Sequence, residues 1–169
     1  RSLYCIISNY LLLYIVLKGG CTLLNDKEQL LVPIIQGGTD RELRIRSLDE
    51  LLKIDSLIYA IGGLAVGEPK EKMLNTVEFM NSQLPKDKLR YLMGVGTPVD
   101  LIINILKGID MFDCVIPTRN ARNGQLFFDD GPINIKNSKF KDDHSMISDK
   151  SKLKMSNSFS KAYLHHLFK

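Results

Sequence analysis

Asp113 is the residue in this sequence whose surroundings ask most for a chemical role. It lies in Met111-Phe112-Asp113-Cys114-Val115, and an acid at the end of an apolar stretch is costly unless it is paired, hydrogen-bonded or used. One reading makes it a cap for the following loop or an ion-pair partner of Arg119. The other makes it a nucleophile or acid/base group. Shortly after it comes Thr118-Arg119-Asn120-Ala121-Arg122-Asn123-Gly124, with two arginines three apart among amide side chains. Guanidinium forks suit phosphate oxygens, and Asn120 and Asn123 can bond sugar or base edges; a merely solvated loop is the alternative. Three earlier strings have a different chemistry: Ile35-Gln36-Gly37-Gly38, Gly62-Gly63-Leu64 and Met93-Gly94-Val95-Gly96. The Gln36 amide, the peptide groups of Gly63 and Leu64 and the Met93 thioether could together hold a nucleobase. Hydrogen bonds would reach its edges, and the glycines would let its flat face approach the backbone.

Those strings must be positioned, and the spacing indicates how. Short apolar stretches occur at Leu31–Gln36, Leu57–Gly62, Leu89–Gly94 and Ile109–Val115. Between them lie segments with helical spacing. Thr39–Ile54 places Leu43, Leu48, Leu51 and Leu52 on one face, and Pro69–Leu84 does likewise with Met73, Val77, Met80 and Leu84. Thr97–Lys107 opens on Thr97-Pro98-Val99-Asp100, a hydroxyl cap with Pro at the first helical position and an acid in the first turn. Glu68-Pro69 is read as opening its helix by similar logic. Strand, helix and strand in alternation imply βαβ units and a parallel sheet. Spacing alone leaves two arrangements open, half of an eight-stranded barrel or part of an open doubly wound sheet. In both, the carboxyl ends of the strands form the active-site rim. No strand ends in a GxGxxG or GxxxxGK[ST] loop, which disfavours those modes of nucleotide binding.

After Val115 the texture changes. Ile116–Gly124 reads as a polar loop, Gln125–Phe128 and Ile133–Lys136 as strands around the turn Asp129-Asp130-Gly131-Pro132, Lys139–Lys154 as an exposed loop, and Asn157–Phe168 as a helix. The expected organisation is one partial domain: 1–30 as helix and linker, 31–115 as the βα repeat, and 116–169 as loop, hairpin and terminal helix.

The 169 residues are 44% hydrophobic and 25% charged, which excludes disordered and collagen-like chains. The net charge of +4 is unevenly placed. Residues 1–115 carry 13 basic and 14 acidic side chains, and residues 116–169 carry 10 and 5, so the positive field sits where the arginine pair lies. Cys5, Cys21 and Cys114 have no close spacing, and only three histidines occur (His144, His165, His166). A disulfide framework and a Cys/His zinc site are both poorly supported, and a reducing cytoplasmic setting is expected. The apolar run Tyr4–Leu17 is short for a bilayer crossing and is read as a buried helix, with no membrane partner. The chain begins with Arg1 rather than Met, from which a truncated start is expected.

The strings YAIGGLAVGEP (Tyr59–Pro69), RYLMGVGTP (Arg90–Pro98), GIDMFDCVIPTRNARNGQLF (Gly108–Phe127) and SKAYLHHL (Ser160–Leu167) resemble tRNA-guanine transglycosylase (queuine tRNA-ribosyltransferase). So does IIQGG (Ile34–Gly38) followed by Leu43-Arg44. The likeness runs from about residue 31 to 169 and implies the carboxyl-side portion of that enzyme, about the second half of a (β/α)8 barrel plus a small hairpin and helix. The activity implied is the exchange of guanine at the anticodon wobble position of tRNA for a 7-deazaguanine, in queuosine biosynthesis.

The resemblance also implies roles. Asp113 matches the nucleophile that attacks ribose C1′ and holds the RNA covalently while the base leaves; two displacements then retain the β configuration. Gln36 matches the reader of the purine edge. Gly63 and Leu64 match the backbone contacts, Met93 with Gly94 the cover on one base face, and Glu68 the acid behind the Leu64 peptide. Val66 resembles the bacterial form, in which a valine narrows the pocket to the small aminomethyl precursor (preQ1). Arg119 and Arg122, with Asn120 and Asn123 between and after them, match the segment that grips the anticodon backbone. The family's general-base and base-reading aspartates belong to the amino-terminal half, so this chain alone is expected to be inactive; a non-catalytic or degenerate RNA-binding relative is the alternative. Many members carry zinc on three cysteines and a later histidine. The cysteine positions here hold Ser151, Leu153 and Ser156, which cannot replace thiolates, so no zinc is expected. His165 and His166 are then read as surface or packing residues. A homodimer is the assembly that the resemblance suggests.

Overall fold

The computed structural model describes residues 30–128, 131–148 and 158–168. The Tyr4–Leu17 helix and the positions Ser151, Leu153 and Ser156 lie outside the described residues. The chain divides into two compact units, with the boundary between Cys114 and Val115.

The first unit alternates strand and helix: β1 (Ile34–Ile35), α1 (Arg41–Leu51), β2 (Ile58–Ile61), α2 (Lys70–Gln83), β3 (Leu89–Met93), α3 (Pro98–Leu106) and β4 (Met111–Asp113). The four strands form one parallel sheet in the order β1-β2-β3-β4. In its register Ile35 lies beside Ile61, Ile61 beside Leu92, and Leu92 beside Phe112. β2 is buried along its whole length, as a parallel strand covered on both faces should be. Ile35, Ile61 and Leu92 meet Leu48, Leu51, Met73, Val77, Met80 and Leu84 from α1, α2 and the residue after α2 in one apolar core.

Local chemistry sets the helix starts. The Asp40 carboxylate caps α1 by accepting from the Leu43 N–H (3.0 Å), and Thr97 Oγ1 caps α3 by accepting from the Asp100 N–H (3.2 Å), with Pro98 following it. α2 differs from the reading above. Its N-cap is Pro69, without a side-chain cap, because Glu68 is turned back into the preceding loop. α1 differs more. Leu43 and Leu52 are exposed, and the buried face consists of Arg44, Ser47, Leu48 and Leu51.

In the second unit, Ile116–Arg122 is a helix (α4), not the loop expected from its polarity. Pro117 suits the first turn of a helix, where its missing N–H costs nothing, and the Val115 carbonyl accepts from the Arg119 N–H (2.9 Å). Ala121 and Arg122 are good helix formers. β5 (Gln125–Phe128) and β6 (Gly131–Asn134) form an antiparallel ribbon in which Pro132 stands opposite Phe127. Gly131 and Pro132 thus belong to the strand rather than the turn, and β6 begins two residues earlier than expected. Residues 139–148 are mostly exposed, as expected, but are tied down at two points. A 3-10 turn at Ser138–Phe140 buries Phe140, and the Asp143 carbonyl accepts from the Ala162 N–H (2.7 Å) at the start of α5 (Lys161–Leu167).

Candidate active site

The carboxyl ends of β1 and β2 form one corner of the rim. The Gln36 N–H donates to Ser47 Oγ on α1 (3.0 Å), and the Gln36 side chain lies against Gly62 and Gly63. A Cβ on Gly63 would come 2.6 Å from Gln36 Oε1, and one on Gly62 would come 2.7 Å from Nε2. Gly63 also has φ +65°, so steric room and backbone conformation both require glycine there. The Leu64 side chain is buried in the core, which leaves its peptide groups as what it can offer a ligand.

Beneath this corner sits Arg44, with none of its surface exposed. Its Nε donates to the Gly38 carbonyl (2.8 Å), Nη1 to that of Ile35 (3.0 Å) and Nη2 to that of Gly62 (2.8 Å). Burial pushes its pKa down to about 10, opposed by the negative charge of Glu68. The guanidinium is therefore still charged at neutral pH, and three carbonyl oxygens stabilise it.

The loop after β2 is held by Glu68. Its Oε1 accepts from the Ala65 N–H (2.5 Å) and its Oε2 from the Val66 N–H (3.0 Å). Partial burial acts to raise the Glu68 pKa, but hydrogen bonds from its own N–H and those of Ala65, Val66 and Gly67 outweigh burial and hold it below the ordinary carboxylate range. Ala65 has φ 60°, a left-handed conformation that costs a residue with a Cβ about 1–2 kcal/mol and that the Glu68 bonds keep in place. Val66 is 68% exposed. The loop reaches the tip of β3: a Cβ on Gly94 would lie 3.8 Å from that of Ala65.

Asp113 ends β4 beside Met93, its register partner on β3. Its Oδ1 accepts two hydrogen bonds, from the Tyr91 hydroxyl (2.8 Å) and the Gly94 N–H (3.2 Å). Among the described residues Oδ2 accepts none, and the residue is exposed. One oxygen is thus anchored and the other is available to a reacting atom. Helix α4 has no side-chain cap, so Asp113 does not act as one. Burial, and then the hydrogen bond to Asp113, raise the pKa of the Tyr91 hydroxyl above its ordinary value.

Contacts thus link Gln36, Gly63, Glu68, Gly94 and Asp113 along the rim, with Met93 half-buried at the end of β3. Arg119, Asn120, Arg122 and Asn123 belong to the second unit. Arg119 and Arg122 are exposed on α4, three residues apart and so on one side of it. The Asn123 N–H closes the helix end on the Arg119 and Asn120 carbonyls. His165 is buried, with Nδ1 2.8 Å from the Ile135 carbonyl; a carbonyl can only accept, so Nδ1 carries the proton. His166 is exposed. Among the described residues no three His, Cys, Asp or Glu side chains gather as a metal site, and no helix is long and apolar enough to cross a membrane.

Sequence reasoning missed two residues of this rim. Tyr91 lies two residues before Met93, so strand alternation puts both side chains on one face. Arg44 entered only as part of the Leu43-Arg44 pair in the family likeness and was given no role, because only the carbonyls of Ile35, Gly38 and Gly62 make its burial tolerable.

Together these features define a class: a parallel α/β protein whose site lies at the carboxyl ends of its strands, with a glycine-lined corner on one side and an anchored carboxylate on the other. The family model described as queuine tRNA-ribosyltransferase matches residues 17–169, and the chain belongs to that family. It is similar to the queuine tRNA-ribosyltransferase of Pseudomonas aeruginosa strain LESB58, with 53% identity over 144 residues covering 85% of this chain. The protein of the same description from Francisella tularensis subsp. mediasiatica strain FSC147 is 51% identical over 144 residues. The chain spans 39% of the length of either relative.

Proposed function

We propose that this chain is the carboxyl-side portion of a tRNA-guanine transglycosylase, with its four parallel strands forming about half of a (β/α)8 barrel. The reaction exchanges the wobble guanine of tRNA for the aminomethyl 7-deazaguanine preQ1. Asp113 Oδ2 attacks ribose C1′, and the glycosidic electron pair leaves with guanine. The incoming base then attacks C1′ from the opposite side and releases the carboxylate. Each step inverts the anomeric carbon, so the β configuration returns. The observation that carries this reading is the asymmetric holding of Asp113, because a nucleophilic carboxylate needs one fixed oxygen and one open one.

Gln36 and the peptide groups of Gly63 and Leu64 read the purine edge, Met93 and Gly94 cover one face, and Glu68 fixes the loop that presents the Leu64 peptide. Val66 limits the substituent on the base. Arg119 and Arg122 grip the anticodon backbone with Asn120 and Asn123, supported by the basic balance of residues 116–169. Family members hold zinc on cysteines. Ser151, Leu153 and Ser156 do not fit that ion and His165 is engaged by Ile135, so no zinc is bound and no step depends on one. The general base and a further base-reading acid come from the portion of the relatives' length that this chain does not span. The setting is the cytoplasm, where tRNA is modified, and the assembly is a homodimer.

The deciding experiment joins the chain to that remaining portion and follows radiolabelled guanine exchange into tRNA. Exchange should occur, with a covalent protein–RNA adduct on denaturing gels, and Asp113→Asn should abolish both. Full exchange by Asp113→Asn refutes the nucleophile. RNA binding without exchange by the wild type makes the protein a non-catalytic relative.

A further inference from the structure

The guanidinium of Arg44 is the most completely enclosed charge among the described residues, and no role in base exchange has yet been given to it. Its three acceptors are not scattered. Ile35 and Gly38 flank the Gln36-Gly37 dipeptide, and Gly62 precedes Gly63. One rigid planar fork thus ties the ends of β1 and β2, adding to the backbone bond that the Gly62 N–H donates to the Ile35 carbonyl (3.0 Å) just past their last ladder pair, Ile35 and Ile61.

The Gly62 bond has a directional consequence. The peptide between Gly62 and Gly63 is trans, as no cis bonds occur among the described residues, so its carbonyl and its N–H point to opposite sides. With the Gly62 oxygen turned down to Nη2 (2.8 Å), the Gly63 N–H is turned the other way. The same fork fixes the backbone on either side of Gln36, whose side chain rests on Gly62 and Gly63. Close approach of Gly37 to α1 completes the arrangement: a Cβ there would come 2.8 Å from the Arg44 backbone nitrogen.

We propose that Arg44 is a positioning residue for the base, setting the direction of the Gly63 N–H and the seat of the Gln36 amide from beneath the rim. It touches neither base nor ribose. Lysine in its place keeps the charge but cannot present the planar fork, so the bonds that Nε and the two Nη atoms make cannot all be replaced from their present directions. Methionine removes both charge and donors, takes the side-chain donor from the Gly38 and Gly62 carbonyls and leaves the Ile35 carbonyl only the Gly62 N–H.

This inference rests on the base-exchange reading, and its test separates the two. Arg44→Lys and Arg44→Met are compared with the wild type in the joined protein, measuring KM for the incoming 7-deazaguanine, KM for tRNA, kcat and the melting temperature. For Arg44→Lys the base KM should rise about tenfold or more, the equivalent of one well-placed hydrogen bond, with tRNA KM within about twofold. A merely structural arginine would lower the melting temperature and the active fraction and leave the base KM unchanged, and that result overturns the proposal. Should Arg44→Met fail to fold, Arg44→Lys decides alone. Should the wild type show no exchange, the function reading fails, and the clasp is judged by the amide nitrogen and proton shifts of Gln36 and Gly63 in the 169-residue chain. Displaced shifts in Arg44→Lys support it, and unchanged shifts overturn it.

Discussion

Tyr91→Phe isolates the anchoring of the nucleophile with little other disturbance, because the ring stays and only the hydroxyl is lost. Asp113 Oδ1 now accepts from Tyr91 at 2.8 Å and from Gly94 at 3.2 Å, so the substitution removes the shorter of two bonds. A hydrogen bond to a charged group is worth about 1.5–3 kcal/mol net. Asp113 is exposed, so water replaces part of the loss and the lower figure applies. About 1.5 kcal/mol corresponds to roughly a tenfold change in rate. Because the carboxylate acts only on the reacting carbon, kcat and kcat/KM for the base should fall together by about that factor, leaving the base KM unchanged. The assay is guanine exchange in the joined protein over a range of tRNA and base concentrations. A kcat within about twofold of the wild type, or a loss confined to KM, refutes the anchoring argument. The same variant carries a pH signature. The Tyr91 pKa is raised in the fold, so its neutral hydroxyl contributes stability below about pH 10, its ordinary value, and that contribution disappears as pH climbs through the higher folded value. Denaturation midpoints of the wild type should therefore fall more steeply above that pH than those of Tyr91→Phe.

Other perturbations reach the remaining parts. Arg119→Ala with Arg122→Ala should weaken tRNA binding and reduce its log–log salt slope by about 1.4, since each contact to a single-stranded phosphate contributes about 0.7; filter binding at several salt concentrations measures this, and an unchanged slope shows that the helix is only solvated. Elemental analysis of purified protein should find zinc well below one equivalent, and a stoichiometric ion overturns the reading of Ser151, Leu153 and Ser156. Met80→Ala should cost about 2–5 kcal/mol in urea unfolding, since Met80 is fully buried between α2 and the sheet; a smaller loss means that the core relaxes into the space.

The repeat of strands and helices was legible in the sequence because parallel strands here are short apolar stretches and α2, with the residue after it, buries Met73, Val77, Met80 and Leu84 at helical intervals. The same logic misjudged α1. It counts apolar residues, and so selected the exposed Leu43 and Leu52 over Arg44, whose burial depends on carbonyls at the end of β1, in the loop after it and just past the end of β2. It also misread Ile116–Arg122, where polar side chains hid a helix that backbone bonding and a first-turn proline support. The β5–β6 register was displaced because Gly131-Pro132 carries a strong turn signal, whereas pairing opposite Phe127 and Phe128 is a property of both strands together.

What the sequence determined by itself is the inventory: a carboxylate, an amide, a thioether and three glycine-bearing strings, each at the end of a strand, followed by an arginine pair. Those identities follow from local patterning, which chain neighbours settle. Tertiary structure alone decided which groups cooperate. It placed Tyr91 and Gly94 on one oxygen of Asp113, turned Glu68 back onto Ala65 and Val66, and brought one buried guanidinium under both Gln36 and Gly63. The Asp113 bonds join residues 22 and 19 positions apart and the Arg44–Gly62 bond residues 18 apart; even the Glu68 bonds, which are local, are a matter of side-chain direction that residue types do not record.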